Sequence, residues 1–308
     1  MYLATVLSLW VAAMLLCGPR LAVAEWPIVA PRLGLLAWQA LLGSSMVATV
    51  AAAALWWHDV FEPTLAWLLS VHGSQIDAAY QLPHLSGAWL ISAGVGSSVL
   101  YVVLTIAREL VEQERLRRRH AAGLGLLGGA QRSAVMVLEY DQPAIYCVPG
   151  RSRRIVITRG ALAVLDTSEL AAVLSHEQEH LSARHHWLLV IGRGVHRALP
   201  RLRCSQVLAE SVERLTEMAA DDAAARKHGR QVTASALLKL ASGGAPPPAT
   251  VAATGRSATD VLLRLERLSS EPVLRRSGRW GIFAAVVLVM STPLFVMLVP
   301  AIDVVTRR

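Results

Sequence analysis

Lysine is almost absent from this chain: Lys227 and Lys239 are the only two, so the net charge of +8 is carried by arginine. Cysteine is scarce as well. Cys17, Cys147 and Cys204 are odd in number, far apart and never paired as C-x-x-C. That excludes a disulfide framework or a cysteine zinc knuckle and suits a reducing compartment for whatever lies outside a membrane. Residues 123–129 are rich in glycine but carry no phosphate-loop pattern, and no internal repeat is evident. Positive charge is missing altogether from residues 58–87, which hold acids and three histidines. Charged residues make up only 17% of the whole, against 54% hydrophobic. With a mean hydropathy of +0.44, the chain is too apolar for an ordinary soluble protein and is expected to be partly embedded in a membrane.

The hydrophobic runs support this. Residues 2–19, 33–57 and 88–107 are each long enough to span a bilayer, and residues 280–299 form a fourth such run before a short tail. Ala22-Val23-Ala24 resembles a signal-peptidase site, yet no Lys or Arg precedes the first run and Arg20 follows it, which favours an uncleaved span. Trp56-Trp57 suits a membrane interface. The loop 58–87, free of basic residues, reads as an outside loop, and the irregular spacing of His58, His72 and His84 reads as loop histidines rather than a second metal site. Small residues Ser92, Gly94, Gly96, Ser97 and Ser98 permit close helix packing in the third span.

Arg108, Arg115, Arg117, Arg118 and Arg119 follow that span at once. Beside a membrane helix such a run marks the cytoplasmic side and an affinity for anionic lipid, so no direct nucleic-acid binding is expected. Residues 108–279 carry 26 Arg and Lys against 17 Asp and Glu, and are expected to stay inside. The expected division is therefore 1–107 with three spans, 108–279 as a cytoplasmic domain, and 280–308 with the fourth span and tail. This is a multi-pass plasma-membrane protein with both termini outside. Within the domain, residues 135–140, 144–148 and 154–158 are short β-rich runs separated by turn residues, and read as a small sheet against a helix. An edge strand there can hold an extended peptide by main-chain pairing. Helical patterns cover 205–227, 232–240 and 258–268, with the loop Gly243 to Pro248 between the last two.

The chemistry is concentrated at Ser175-His176-Glu177-Gln178-Glu179-His180. On a helix His176 and His180 lie one above the other and aim their imidazoles at one point, with Glu177 projecting about 100° away. Two neutral imidazoles suit Zn²⁺, and a neighbouring carboxylate can take a proton from the water that the ion activates. Asp166 as N-cap and Glu169 three residues on form a capping-box pattern, and Leu170, Val173, Leu174 and Leu181 supply an apolar side, so the bland alternative of a solvated polar face is weakened. A third ligand is needed. Glu210, Glu213 and Glu217 share roughly one helix face; Glu217 is preferred because Asp221, one turn later, can accept the free ring N–H of a zinc-bound histidine. Glu179 is expected to be solvated or paired with Arg184 rather than a ligand. His185 or His186 is a candidate oxyanion donor, with a structural histidine as the plainer reading.

Ile155-Val156-Ile157-Thr158-Arg159-Gly160, the stretch from Glu169 to His180, and Glu217-Met218-Ala219-Ala220-Asp221 together resemble the gluzincin membrane peptidases of the BlaR/MecR type. Ala30-Pro31-Arg32-Leu33 through Trp38-Gln39 and the arrangement of three spans before the domain and one after it are also similar. The resemblance implies a mostly α fold: four transmembrane helices and a gluzincin-like α+β zinc peptidase domain with a small sheet. It implies Zn²⁺ on His176, His180 and Glu217, Glu177 as general base and Asp221 behind a ligand. It further implies an endopeptidase acting on a protein substrate at the inner face of the lipid bilayer, in the best-known members relieving a transcriptional repressor. Those members carry a penicillin-binding sensor after the last span; eight residues follow Pro300 at its end here, so a shorter, sensorless member is the expectation. The alternatives are a quality-control protease of the HtpX type, which usually places two spans on either side of the motif, and a receptor or scaffold with an idle site. Oligomeric state, substrate and inducing signal are not legible.

Overall fold

A computed structural model of the chain describes residues 2–56, 88–127, 135–148, 154–242, 258–270 and 275–306. Expectations placed on Trp57, on the loop histidines His58, His72 and His84, and on the Gly243 to Pro248 loop lie outside these residues. In chain order the elements are helices α1 (Tyr2–Val23), α2 (Trp26–Val29), α3 (Pro31–Trp56) and α4 (Ala88–Leu127). Strands β1 (Val135–Leu138), β2 (Ile145–Val148) and β3 (Arg154–Thr158) come next. Helices α5 (Arg159–Val164), α6 (Thr167–Ser182), α7 (His185–Ala198), α8 (Arg203–His228), α9 (Arg230–Ser242), α10 (Ala258–Ser269) and α11 (Arg276–Thr306) complete the fold. The architecture is mostly α with one small sheet.

Among the described residues, four helices are long and apolar enough to cross a membrane, over Leu3–Val23, Pro31–Leu55, Ala93–Gly123 and Arg276–Leu298. Small side chains let them approach: Ala4 and Leu7 of α1 pack on Ala48, Ala51, Ala52 and Leu55 of α3. The Trp10 indole N–H donates to Ser44 Oγ at 2.9 Å, as a polar group among apolar helices requires. The expected third span, 88–107, lies within α4. The helix does not stop at the basic residues but runs on to Leu127. The physical reason is local. Arg, Glu, Leu and Gln are good helix formers, neither Pro nor Gly intervenes before Gly123, and i,i+4 pairs such as Glu114 with Arg118 at 2.7 Å support the charged half.

The sheet has the order β1-β3-β2, with β3 parallel to β1 and antiparallel to β2. One face, through Ile145, Ile155 and Ile157, packs on Val173 of α6 and on Ala236 and Leu240 of α9. Met136, Tyr146 and Val156 of the other face meet Ala121 of α4. Helix α6 starts at the expected capping box. Asp166 Oδ1 accepts from the N–H groups of Ser168 and Glu169, and Glu169 Oε2 accepts from the Asp166 N–H at 2.9 Å. Glu169 also receives Ser235 Oγ at 2.6 Å and Lys239 Nζ at 2.7 Å, which ties α9 to the start of α6.

Helix α8 is central. Leu208, Val212, Leu215, Met218 and Ala219 form one core with Leu35 and Trp38 of α3, so the domain is built directly onto a candidate membrane helix. At Gly160, where β3 turns into α5, the backbone passes so close to the Asp141 carbonyl that a Cβ would collide with it, while the Gly160 N–H donates to Tyr140 O at 3.0 Å. Gly160→Ala is therefore expected to cost about 3 kcal/mol, the upper end of ordinary overpacking. Gly281→Ala, whose Cβ meets nothing within 4 Å, is expected to leave thermal unfolding of the purified protein unchanged.

Candidate metal centre

Helix α6 presents the Nε2 atoms of His176 and His180 3.1 Å apart, as residues four apart on one helix should. Glu217, in the middle of α8, brings its Oε2 to 3.6 Å from His176 Nε2 and its Oε1 to 3.4 Å from His180 Nε2. Zinc ligands at about 2.0–2.1 Å in a tetrahedron stand roughly 3.3 Å from one another, so these three donors fit one such ion. His176, His180 and Glu217 are the one group of metal-ligating side chains that converges in this way among the described residues. Of the other candidate ligands, Glu213 is held by Arg193 at 2.8 Å and Glu210 by Gln206 at 2.9 Å.

The second nitrogen of each imidazole is also engaged. His176 Nδ1 faces Asp221 Oδ1 at 3.1 Å, and Asp221 is almost wholly buried, at 2% exposure of its side chain. His180 Nδ1 lies 3.0 Å from His185 Nδ1. Burial, with His180 close by, pushes His185 down to about 3, so it stays neutral and can accept the His180 Nδ1–H. Burial likewise pushes His180 down to about 4, leaving its Nε2 lone pair available. His176 behaves oppositely. Burial works against its charge, but the hydrogen bonds to Asp221 and Glu217 outweigh that and hold the imidazole up to about 10. A cation that takes this position must displace the proton, so its affinity rises with pH.

Arg264 on α10 completes the charge pattern. Its Nε and Nη2 donate to the two oxygens of Asp221, each at 2.7 Å, and its Nη1 donates to Glu217 Oε2 at 2.8 Å. Burial raises the cost of both carboxylates, yet Arg264 and the histidines keep Glu217 well below the usual range and Asp221 at about 2. Sequence reasoning missed Arg264: it is one arginine among many, 43 residues from Asp221. The only available signal was that two acids on a face with Leu215 and Met218 needed a buried cation.

Glu177 lies beside the donors, and its Oε2 accepts from the Cys147 N–H at 2.9 Å. The strand geometry explains that contact. Thr158 N–H bonds Ala144 O at 3.0 Å, so the bonded pairs between β2 and β3 fall on alternate residues and Cys147 turns its main-chain groups outward, along the edge of β2 next to the site. The Cys147 thiol is pushed up by burial and by the Glu177 charge, and remains a neutral thiol. The cleft, about 140 Å³, is also lined by His186, Arg193, Leu237, Leu240 and Val261.

One expectation is corrected here and one pair of alternatives is separated. Glu179 does not pair with Arg184; Arg32 at the start of α3 donates to it at 2.6 Å, because Arg184 adopts a left-handed backbone (φ 53°) between α6 and α7. The same turn folds His185 back behind His180, at 3% exposure, so it is His186 and not His185 that faces the cleft.

A small sheet with its edge beside an H-E-x-x-H helix, a glutamate ligand from a later helix and four apolar helices define a membrane-type zinc metallopeptidase. Residues 112–279 match the model of peptidase family M48, more than half of the chain, and the chain belongs to that family. The match carries the metallopeptidase class and does not single out the BlaR/MecR type. No curated protein and no solved structure matches the chain.

Asp221→Asn is expected to weaken zinc binding by about 10–100-fold, read by competition with a chromogenic chelator. Arg264→Met leaves two buried carboxylates without their cation and is expected to lower stability by about 3–5 kcal/mol in chemical denaturation.

Proposed function

We propose that the protein is an integral-membrane zinc endopeptidase that cuts an extended stretch of a protein chain close to the bilayer. The observation that carries this reading is the convergence of His176, His180 and Glu217 within 4.8 Å of one another, with the Glu177 carboxylate and the outer edge of β2 alongside. His176, His180 and Glu217 would hold the ion, which when bound supplies Lewis acidity toward a scissile carbonyl and an attacking water. The residues of the chain do the rest. The main-chain groups that β2 turns outward, those of Cys147 and of Ile145 two residues before it, pair with the substrate backbone and lay it across the cleft, the Cys147 N–H passing from Glu177 to the substrate. Glu177 takes the water's proton and delivers it to the leaving amine. Asp221 and His185 fix the two imidazoles so that both direct Nε2 to one point. Leu237, Leu240 and Val261 offer an apolar subsite to a substrate side chain.

The finer reading is a regulatory cut on the cytoplasmic side, releasing a factor such as a repressor. Three candidate spans before the domain and one after it support this, together with the basic residues at the end of the third span. The quality-control alternative shares every site residue and differs in breadth of substrates. Comparative proteomics of cells bearing wild type or Glu177→Gln separates the two: one processed soluble regulator supports regulation, and many stabilised membrane proteins support quality control.

For the chemistry itself, Glu177→Gln is expected to retain one zinc per chain by elemental analysis while cleavage falls by about 10²–10⁴-fold. His176→Ala is expected to lose both. Zinc lost from Glu177→Gln but retained by His176→Ala would overturn the assignment of roles.

A further inference from the structure

The catalytic cleft has two unlike flanks. Leu237, Leu240 and Val261 belong to α9 and α10, and α10 reaches the metal donors through Arg264, which bonds both Asp221 and Glu217. His186, Arg193 and Glu213 belong to α7 and α8 and line the cleft from the other direction along α8, because Glu213 precedes Glu217 by one turn whereas Asp221 follows it by one. One flank is therefore apolar and the other polar. The apolar flank suits an apolar substrate side chain, and the polar flank calls for a different one.

The ion pair on the polar flank is lopsided. Arg193 brings Nε to 2.9 Å and Nη2 to 2.8 Å of the same oxygen, Glu213 Oε1. Glu213 Oε2 takes no hydrogen bond and no ion pair among the described residues. A carboxylate accepts through both oxygens, and this side chain, 25% exposed, is only partly hydrated. The open member of the pair is thus the acceptor, while Arg193 has a further partner of its own. A substrate donor that reaches Oε2 gains a charge-assisted hydrogen bond without breaking the existing one. The reach is set by the helix. Glu213 and Glu217 stand about 5–6 Å apart on its surface, and an extended chain advances about 3.3 Å per residue, so the donor comes from within about two residues of the scissile bond.

We infer that Glu213 is a specificity-determining residue: its carboxylate accepts from the guanidinium or ammonium of a substrate Arg or Lys within about two residues of the cut, on the side away from the apolar subsite. This rests on the peptidase reading of the same cleft and narrows its substrates to chains with a basic residue on one side of the scissile bond and an apolar residue on the other. Leu189, one turn before Arg193 on α7, also lines the cleft and offers apolar surface to the methylene stem of such a side chain. A charge-assisted hydrogen bond at a partly exposed site is worth about tenfold in affinity.

The test uses the zinc-loaded, full-length protein in detergent. Its cuts in a mixture of proteome-derived peptides are mapped by mass spectrometry, and kcat/KM is then measured on synthetic peptides that carry Arg, Gln or Glu at each position within about two residues of a mapped cut. Wild type is expected to favour Arg over Gln by about tenfold at one of these positions and to disfavour Glu there. Glu213→Gln, which keeps an acceptor for Arg193, is expected to bring the Arg-to-Gln ratio close to one, and Glu213→Lys to favour Glu over Arg. The ratio is taken within one preparation, so a loss of folded protein does not move it. Glu210→Gln, on the same helix but outside the cleft lining, is the control and is expected to keep the wild-type ratio. Binding of the same peptides to Glu177→Gln, followed by fluorescence anisotropy, should give the same order of affinities. Equal rates on Arg and Gln peptides in wild type, or a wild-type ratio in Glu213→Gln, would overturn the subsite and leave the peptidase standing. A wild type that makes no zinc-dependent cut would overturn the peptidase reading, and the subsite with it.

Discussion

Two carboxylates buried on one helix set the terms for the rest of this molecule. Glu217 and Asp221 sit one turn apart on α8 among Leu215, Met218, Ala219 and Ala220, where an uncompensated charge is severely penalised. Everything that packs on that face answers the penalty with positive charge or hydrogen bonds. Arg264 contributes three donated bonds from α10, and His176 contributes its two nitrogens from α6. Arg264 answers one of the two negative charges and His176, as an imidazolium, answers the other, and a divalent cation at the Nε2 atoms takes the place of that proton.

The same helix joins chemistry to membrane. One side of α8 offers Glu217 and Asp221 to α6 and α10, and the other buries Leu208, Val212 and Leu215 against α3. Helix α8 is thus part of the same core as a candidate span, and the sheet edge at Cys147 is held to α6 through Glu177. A platform of this kind holds the Glu177 carboxylate and the His176, His180 and Glu217 side chains in fixed register.

What the sequence makes legible is what helix geometry dictates locally. The spacing of His176 and His180, the capping box at Asp166 and Glu169, the three β-rich runs and the four long apolar segments all depend on residues within a turn or two of one another. Glu217 could be preferred over Glu213 only because Asp221 follows it at four residues. Non-local features were hidden. Arg264 reaches Asp221 from a separate helix, Arg32 reaches Glu179 from the start of a membrane span, and the order β1-β3-β2 that puts β2 at the edge beside the site depends on chain crossings. A single left-handed residue, Arg184, decided which of two adjacent histidines faces the cleft. The charged run after Ala107 suggested a boundary, whereas its helix propensity carried α4 on to Leu127.

The central claim is that one zinc ion is shared by two imidazoles of α6 and a carboxylate of α8. X-ray absorption spectroscopy of the zinc-loaded, full-length protein tests it most directly. The account predicts a four-coordinate first shell of nitrogen and oxygen at about 2.0–2.1 Å, with the outer-ring scattering of two imidazoles and no sulfur at about 2.3 Å. In Glu217→Ala one oxygen scatterer should change while both imidazoles remain. A shell containing Cys147 sulfur, or one unchanged by Glu217→Ala, would contradict the account.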